Sequence, residues 1–160
     1  MNIKLNPTQT KLFKAIFHKV DGRLEQRTDN EYTHLALWGG YRSGKSYATM
    51  FCIFLLCTLY PGANTAIIRE SYNTLYDSCI IQMLDAFPPE SNGYEYSKTK
   101  REAVFNNGSV IQFRAFDVDE KLKSACYDAI LLVQAERLSK NLYLGCLGWV
   151  SGQAIKRPLI

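Results

Sequence analysis

The chain has 160 residues, 47% of them hydrophobic and 21% charged, which suits one globular domain and excludes both a disordered polymer and two full domains. A net charge of +4 permits contact with nucleic acid without arguing for it. The longest apolar run, Phe51 to Tyr60, falls short of the roughly 20 residues a membrane span needs, so no membrane partner is expected.

At the start, Asn6 is placed to cap a helix that has Pro7 at its first position, and Leu12, Phe13, Ile16, Phe17 and Val20 give that helix an apolar face. Asp21 to Tyr32 reads as a polar connection, with Arg23 and Arg27 as solvated charges rather than contacts to DNA. Leu35-Ala36-Leu37-Trp38 is short and apolar enough for a buried strand. It runs into Gly39-Gly40-Tyr41-Arg42-Ser43-Gly44-Lys45-Ser46, which fits G-x-x-x-x-G-K-[ST], and Lys45 to Tyr60 follows as a helix. Strand, glycine loop and helix come in the order a phosphate cradle requires. Successive loop N–H groups and the free amides of the helix start carry partial positive charge, Lys45 brings a point charge to the terminal phosphates, and the Ser46 hydroxyl suits Mg²⁺. ATP and Mg²⁺ are the expected ligands.

Thr65-Ala66-Ile67-Ile68 is a second strand that ends at Arg69, a residue suited either to the nucleotide or to pairing with a carboxylate. Apolar positions three or four apart predict one helix over 72–87, stopped by Pro88-Pro89, and 89–101 reads as a polar loop. Ala103 to Arg114 predicts a β-hairpin turning at Asn106-Asn107-Gly108-Ser109, set at one edge of the sheet. A short helix is expected around Asp119 to Ser124 and a buried strand over Asp128 to Val133, leading to Gln134-Ala135-Glu136-Arg137. The cysteines Cys52, Cys57, Cys79, Cys126 and Cys146 have no C-x-x-C spacing and read as reduced core thiols in a cytoplasmic setting. His18 and His34 accompany no metal-ligand spacing. The fold class is α/β: a P-loop NTPase with a mostly parallel sheet, flanking helices and one β-hairpin, incomplete at its C-terminal side.

The Asn6-Pro7-Thr8-Gln9 start, the Gly39 to Ser46 loop, Arg69, Phe105-Asn106-Asn107-Gly108-Ser109, Gln134-Ala135-Glu136 and Ser151-Gly152-Gln153 together resemble the ATPase part of a tailed-phage terminase large subunit. The resemblance implies an ATP-driven motor that packages double-stranded DNA, with the viral portal and small terminase subunit as partners, a homo-oligomeric ring in the complete motor, and the host cytoplasm as its location. By that resemblance Gln9 reads the adenine edge and Arg42 senses or stabilises phosphate charge. The hydrolysis motif departs from the family pattern: Val133 stands where Asn is found and Arg137 replaces a second Glu. Asp128 lies at the wrong end of its strand to reach phosphates. That leaves Glu136 to activate water or support Mg²⁺, with Gln134 able to position water, or else Glu136 as an exposed helix-start carboxylate. No Asp and Glu cluster suits a two-metal nuclease. Residues 1–160 therefore read as a partial P-loop ATPase domain without a nuclease domain. A nucleotide-binding module without turnover, and another P-loop enzyme such as a small-molecule kinase, stay open as alternatives.

Overall fold

In a computed structural model, residues 5–29, 34–40, 43–116 and 126–155 are described. The helix expected around Asp119 to Ser124, the segment from Lys156, and two residues of the glycine loop, Tyr41 and Arg42, lie outside them.

Helix α1 (Pro7–Ile16) begins as its sequence demands: Asn6 Oδ1 accepts the Gln9 N–H and Gln9 Oε1 accepts the Asn6 N–H, both at 2.9 Å, closing a capping box before Pro7. It stops earlier than its apolar spacing suggests. Phe17 is extended, and Phe17–Val20 (β1) pairs antiparallel with Arg23–Gln26 (β2) across Asp21-Gly22, both at positive φ. The Asp-Gly dipeptide is the signal of such a two-residue turn, and it outweighs the helical spacing of Phe17 and Val20. The expected polar connection is thus half hairpin, and Arg27 pairs with Asp29 at 2.8 Å at the surface.

Helix α2 (Lys45–Leu59) buries residues on every side, among them Met50, Ile53, Phe54 and Leu56, as a helix embedded in a core must. Phe54 stacks on Phe87 with centroids 4.5 Å apart. The predicted helix over 72–87 is a continuous helical path whose middle widens, with α3 (Tyr72–Leu75), a π turn (Tyr76–Ile80) and α4 (Ile81–Ala86) in succession. A helical turn α5 (Pro89–Asn92) follows.

One five-stranded sheet runs in the order β4 (Tyr94–Ser97), β5 (Glu102–Phe105), β6 (Val110–Ala115), β3 (Asn64–Arg69), β7 (Ala129–Leu132). The β6, β3 and β7 strands are parallel, whereas β4, β5 and β6 are antiparallel, so the sheet is evenly mixed rather than mostly parallel. The difference comes from Tyr94-Glu95-Tyr96-Ser97, expected as loop. Its alternation buries Tyr94, which stacks on Phe105 at 5.2 Å and donates its hydroxyl to the Phe87 carbonyl at 2.6 Å. The predicted hairpin is present, and its turn is tied to the end of α2: Asn107 Nδ2 and Ser109 Oγ donate to the Cys57 carbonyl at 2.8 and 2.5 Å. Among the described residues, Leu35 to Trp38 pairs with no strand. Leu35 and Leu37 pack on the core while Ala36 and Trp38 are exposed, Trp38 at 91%, so the run keeps a strand's alternation with one face covered rather than the burial expected of a core strand.

The sheet is covered on both faces, by α1, α2 and α4 around Ile67, Phe113 and Ala129, and by α6 (Lys140–Trp149) around Ala66, Ile68, Ile130 and Cys146. Asp128, at the amino end of β7, is 3% exposed and accepts the Asn64 and Ala154 N–H groups at 2.8 Å each and the Ile155 N–H at 3.4 Å. It is a structural hub.

Four of the five cysteines are buried, and Cys126 departs from the core reading by being exposed. Loss of water pushes Cys52 and Cys57 up to about 12, Cys146 up to about 11, and Cys79 upward as well. At pH 8 a disulfide reagent is therefore expected to modify one thiol rapidly in the native chain and all five in denaturant. Absorbance of the released chromophore measures this. Rapid native reaction of two or more would mean that the core opens easily.

Candidate phosphate-binding site

The loop before α2 is shaped by Gly44, which caps the helix at φ +76, a conformation that costs a side-chain-bearing residue. Gly44 offers no side-chain cap, so the first-turn N–H groups of α2 keep their capacity for a ligand. Lys45 Nζ donates to the Gly39 carbonyl at 2.6 Å, the Gly40 carbonyl at 2.7 Å and Ser43 Oγ at 3.1 Å. Those acceptors draw the ammonium into the loop, where uncapped amides and a cation converge. Ser46 follows in the first turn of α2, exposed to solvent. This donor set fits a polyphosphate, and the Ser46 hydroxyl beside it suits a hard cation.

Gln9 is brought to the loop from α1: its Nε2 donates to the Gly44 carbonyl at 3.1 Å. Its Oε1, the atom an adenine amino group would need, accepts the Asn6 N–H. Asn6 also reaches the loop, through Nδ2 to the Ser43 carbonyl at 3.2 Å. Sequence reasoning found Asn6 as a cap and missed this second bond, because nothing in the local pattern says what lies 37 positions away.

At the carboxyl ends of the parallel strands a second group forms. The Arg69 guanidinium donates to the Thr74 carbonyl at 2.8 Å, to Ser78 Oγ and to Gln134 Oε1. Arg69 thus bonds neutral acceptors, not the carboxylate expected as one of its partners, and ties the end of β7 to the π turn, a departure from α-geometry frequent at functional sites. Gln134 itself sits at φ 55, turning the chain sharply after Val133. Glu136 follows in a 3₁₀ turn (Ala135–Arg137), exposed, with no ion-pair partner among the described residues. The structure therefore joins Lys45, Gly39, Gly40, Ser43, Gly44 and Gln9 in one group and Arg69 with Gln134 in another. Glu136 is bonded to neither.

No curated protein matches the sequence significantly. Among solved structures, the large terminase of a thermophilic bacteriophage superposes with a TM-score of 0.71 at 10% identity, over 94% of this chain and 36% of that one. The same protein in complex with ATP-γ-S gives 0.60 at 11% identity over 74% and 30%, and in complex with ADP 0.59 at 13% over 72% and 30%. At such identities the likeness is one of fold, and the chain spans about a third of the length of these structures. No helix of the described residues is long and apolar enough to cross a membrane. The profile of the phage terminase large subunit matches residues 31–143, a span that holds both the glycine loop and the Arg69–Gln134 group, and with that match over most of its length the chain belongs to the phage terminase large subunit family.

Proposed function

We propose that this chain is a partial ATPase domain of a DNA-packaging motor, binding ATP with Mg²⁺ at the loop and hydrolysing it to move double-stranded DNA. The observation that carries the reading is the convergence of Lys45 Nζ with the uncapped start of α2. Residues Gly39, Gly40 and Ser43 to Ser46 hold the phosphates, with Tyr41 and Arg42 completing the loop in sequence. Ser46 would hold Mg²⁺ through its hydroxyl, and the ion would supply neutralisation of phosphate charge. Arg69 holds the Gln134 amide oxygen, which leaves the amide nitrogen to orient water, while Glu136, on the same sheet edge, accepts its proton. Portal, small terminase subunit and further copies of the large subunit are the partners of such a motor in the host cytoplasm, since DNA grip and hydrolysis must alternate between subunits.

A second reading, nucleotide binding without turnover, is favoured by one observation: the first polar side chain after β7 is an amide already engaged by Arg69, not an acid. Steady-state phosphate release with and without duplex DNA separates the two. The motor reading expects turnover that DNA stimulates, with stimulation fading as salt rises. It also expects Glu136→Gln to lower turnover by about 10² to 10⁴-fold, with ATP affinity within about twofold of wild type. Binding without turnover in the wild-type chain supports the second reading, and turnover indifferent to DNA argues against the motor.

A further inference from the structure

The capping box of α1 has partners that capping does not require. Besides bonding each other's backbone, Asn6 and Gln9 turn their amide nitrogens outward, Asn6 Nδ2 to the Ser43 carbonyl at 3.2 Å and Gln9 Nε2 to the Gly44 carbonyl at 3.1 Å. The Gly44 carbonyl already accepts the Ala48 N–H at 3.1 Å in the first turn of α2. A Cβ there would stand 2.5 Å from Gln9 Nε2 and push the amide aside, while the φ of +76 is what favours glycine at this position. The helix that carries this pair is firmly backed, with Leu12 and Ile16 buried in the core and Phe13 stacked on Phe51 of α2 at 6.3 Å.

A trans peptide is planar, so its C=O and the following N–H point in opposite directions. Holding the Ser43 carbonyl on the α1 side therefore turns the Gly44 N–H away from α1. Holding the Gly44 carbonyl does the same for the Lys45 N–H. We propose that Asn6 and Gln9 are positioning residues, a latch from α1 that aims the Gly44 and Lys45 N–H groups at a bound phosphate chain and so sets phosphate affinity rather than choice of base. The inference rests on the phosphate-site reading of the loop. Base reading by Gln9 would have to share Oε1, one lone pair of which already accepts the Asn6 N–H.

Calorimetric titration of the wild-type chain, Asn6→Ser and Gln9→Met with Mg²⁺-tripolyphosphate, ATP and GTP tests the latch. Serine caps a helix as well as asparagine but has no amide N–H to reach Ser43, so Asn6→Ser isolates the latch from the cap. Thermal melting confirms that each variant is folded, and Asn6→Ser carries the test if Gln9→Met is not. The latch predicts that both variants weaken tripolyphosphate and ATP by the same factor, about three- to tenfold, with the ATP-to-GTP ratio unchanged. Unchanged tripolyphosphate affinity in Asn6→Ser, or a fall in the ATP-to-GTP ratio in Gln9→Met, overturns it. A wild-type chain that binds neither tripolyphosphate nor ATP overturns the phosphate-site reading and the latch together, whereas variants matching a wild type that binds both overturn the latch alone.

Discussion

Replacing Lys45 with alanine is expected to lower ATP turnover by about a thousandfold or more while leaving the fold almost untouched. The ammonium is the one side-chain cation shown inside the described part of the loop, held by the Gly39 and Gly40 carbonyls and Ser43 Oγ. A charge in that position opposes the negative charge on the leaving phosphates, where preorganised donors contribute most, and loss of a single such group costs about 10²- to 10³-fold in other enzymes. On the proposed reading the same residue would also anchor the phosphates in the ground state, which adds to the loss. Its acceptors lie in an exposed loop and can turn to water, so stability should change by less than about 0.5 kcal/mol. Lys45→Arg should fail nearly as badly, because a planar fork cannot take the place of a compact ammonium among those carbonyls. Phosphate release and a melting curve on the same preparation check both halves. A Lys45→Ala chain that keeps a tenth of wild-type turnover would mean that hydrolysis occurs elsewhere.

Asp128→Ala should show the opposite division, a stability loss of about 3 kcal/mol or more through the fold rather than the chemistry. Its carboxylate accepts the backbone N–H groups of Asn64, Ala154 and Ile155 in a site 3% exposed. Truncation leaves those donors unpaired away from water, at about 1–3 kcal/mol each with partial relaxation. Against a typical total of about 5–15 kcal/mol that is a large fraction. Gly152→Ala should destabilise by the same route, since a Cβ there would fall inside contact distance of the Asp128 carboxylate and 2.6 Å from the Asp128 backbone nitrogen. Urea unfolding monitored by circular dichroism gives the midpoints. If Asp128→Ala unfolds at the wild-type midpoint, the segment after α6 is not held to the sheet through this carboxylate.

These two residues show where the amino-acid order speaks and where it does not. The α1 start, the α2 helix, the 103–114 hairpin and the β3 and β7 strands follow from neighbours in sequence: a cap and proline, an apolar run, an Asn-Gly turn, short β-branched stretches. Two elements escape this reading: the 17–26 hairpin, whose Asp21-Gly22 turn signal is masked by the helical spacing of Phe17 and Val20, and the Tyr94 to Ser97 strand, whose alternation is masked by its polarity.

Local order alone determined the shape of the glycine loop, since Gly44, Lys45 and Ser46 lie in a backbone turn and a helix start that adjoin in the chain. It also placed Asp128 at the amino end of its strand, opposite the carboxyl ends where Arg69 and Gln134 meet. Only the tertiary structure decided what Arg69, Gln134, Asn6 and Gln9 do, because each acts on a group 35 or more positions distant or on a neighbouring strand's end. An arginine or an amide offers the same donors to a carboxylate, a base or a carbonyl. Which of these it meets is set by how the strands are ordered in the sheet and by where α1 packs on α2, and no local spacing encodes that.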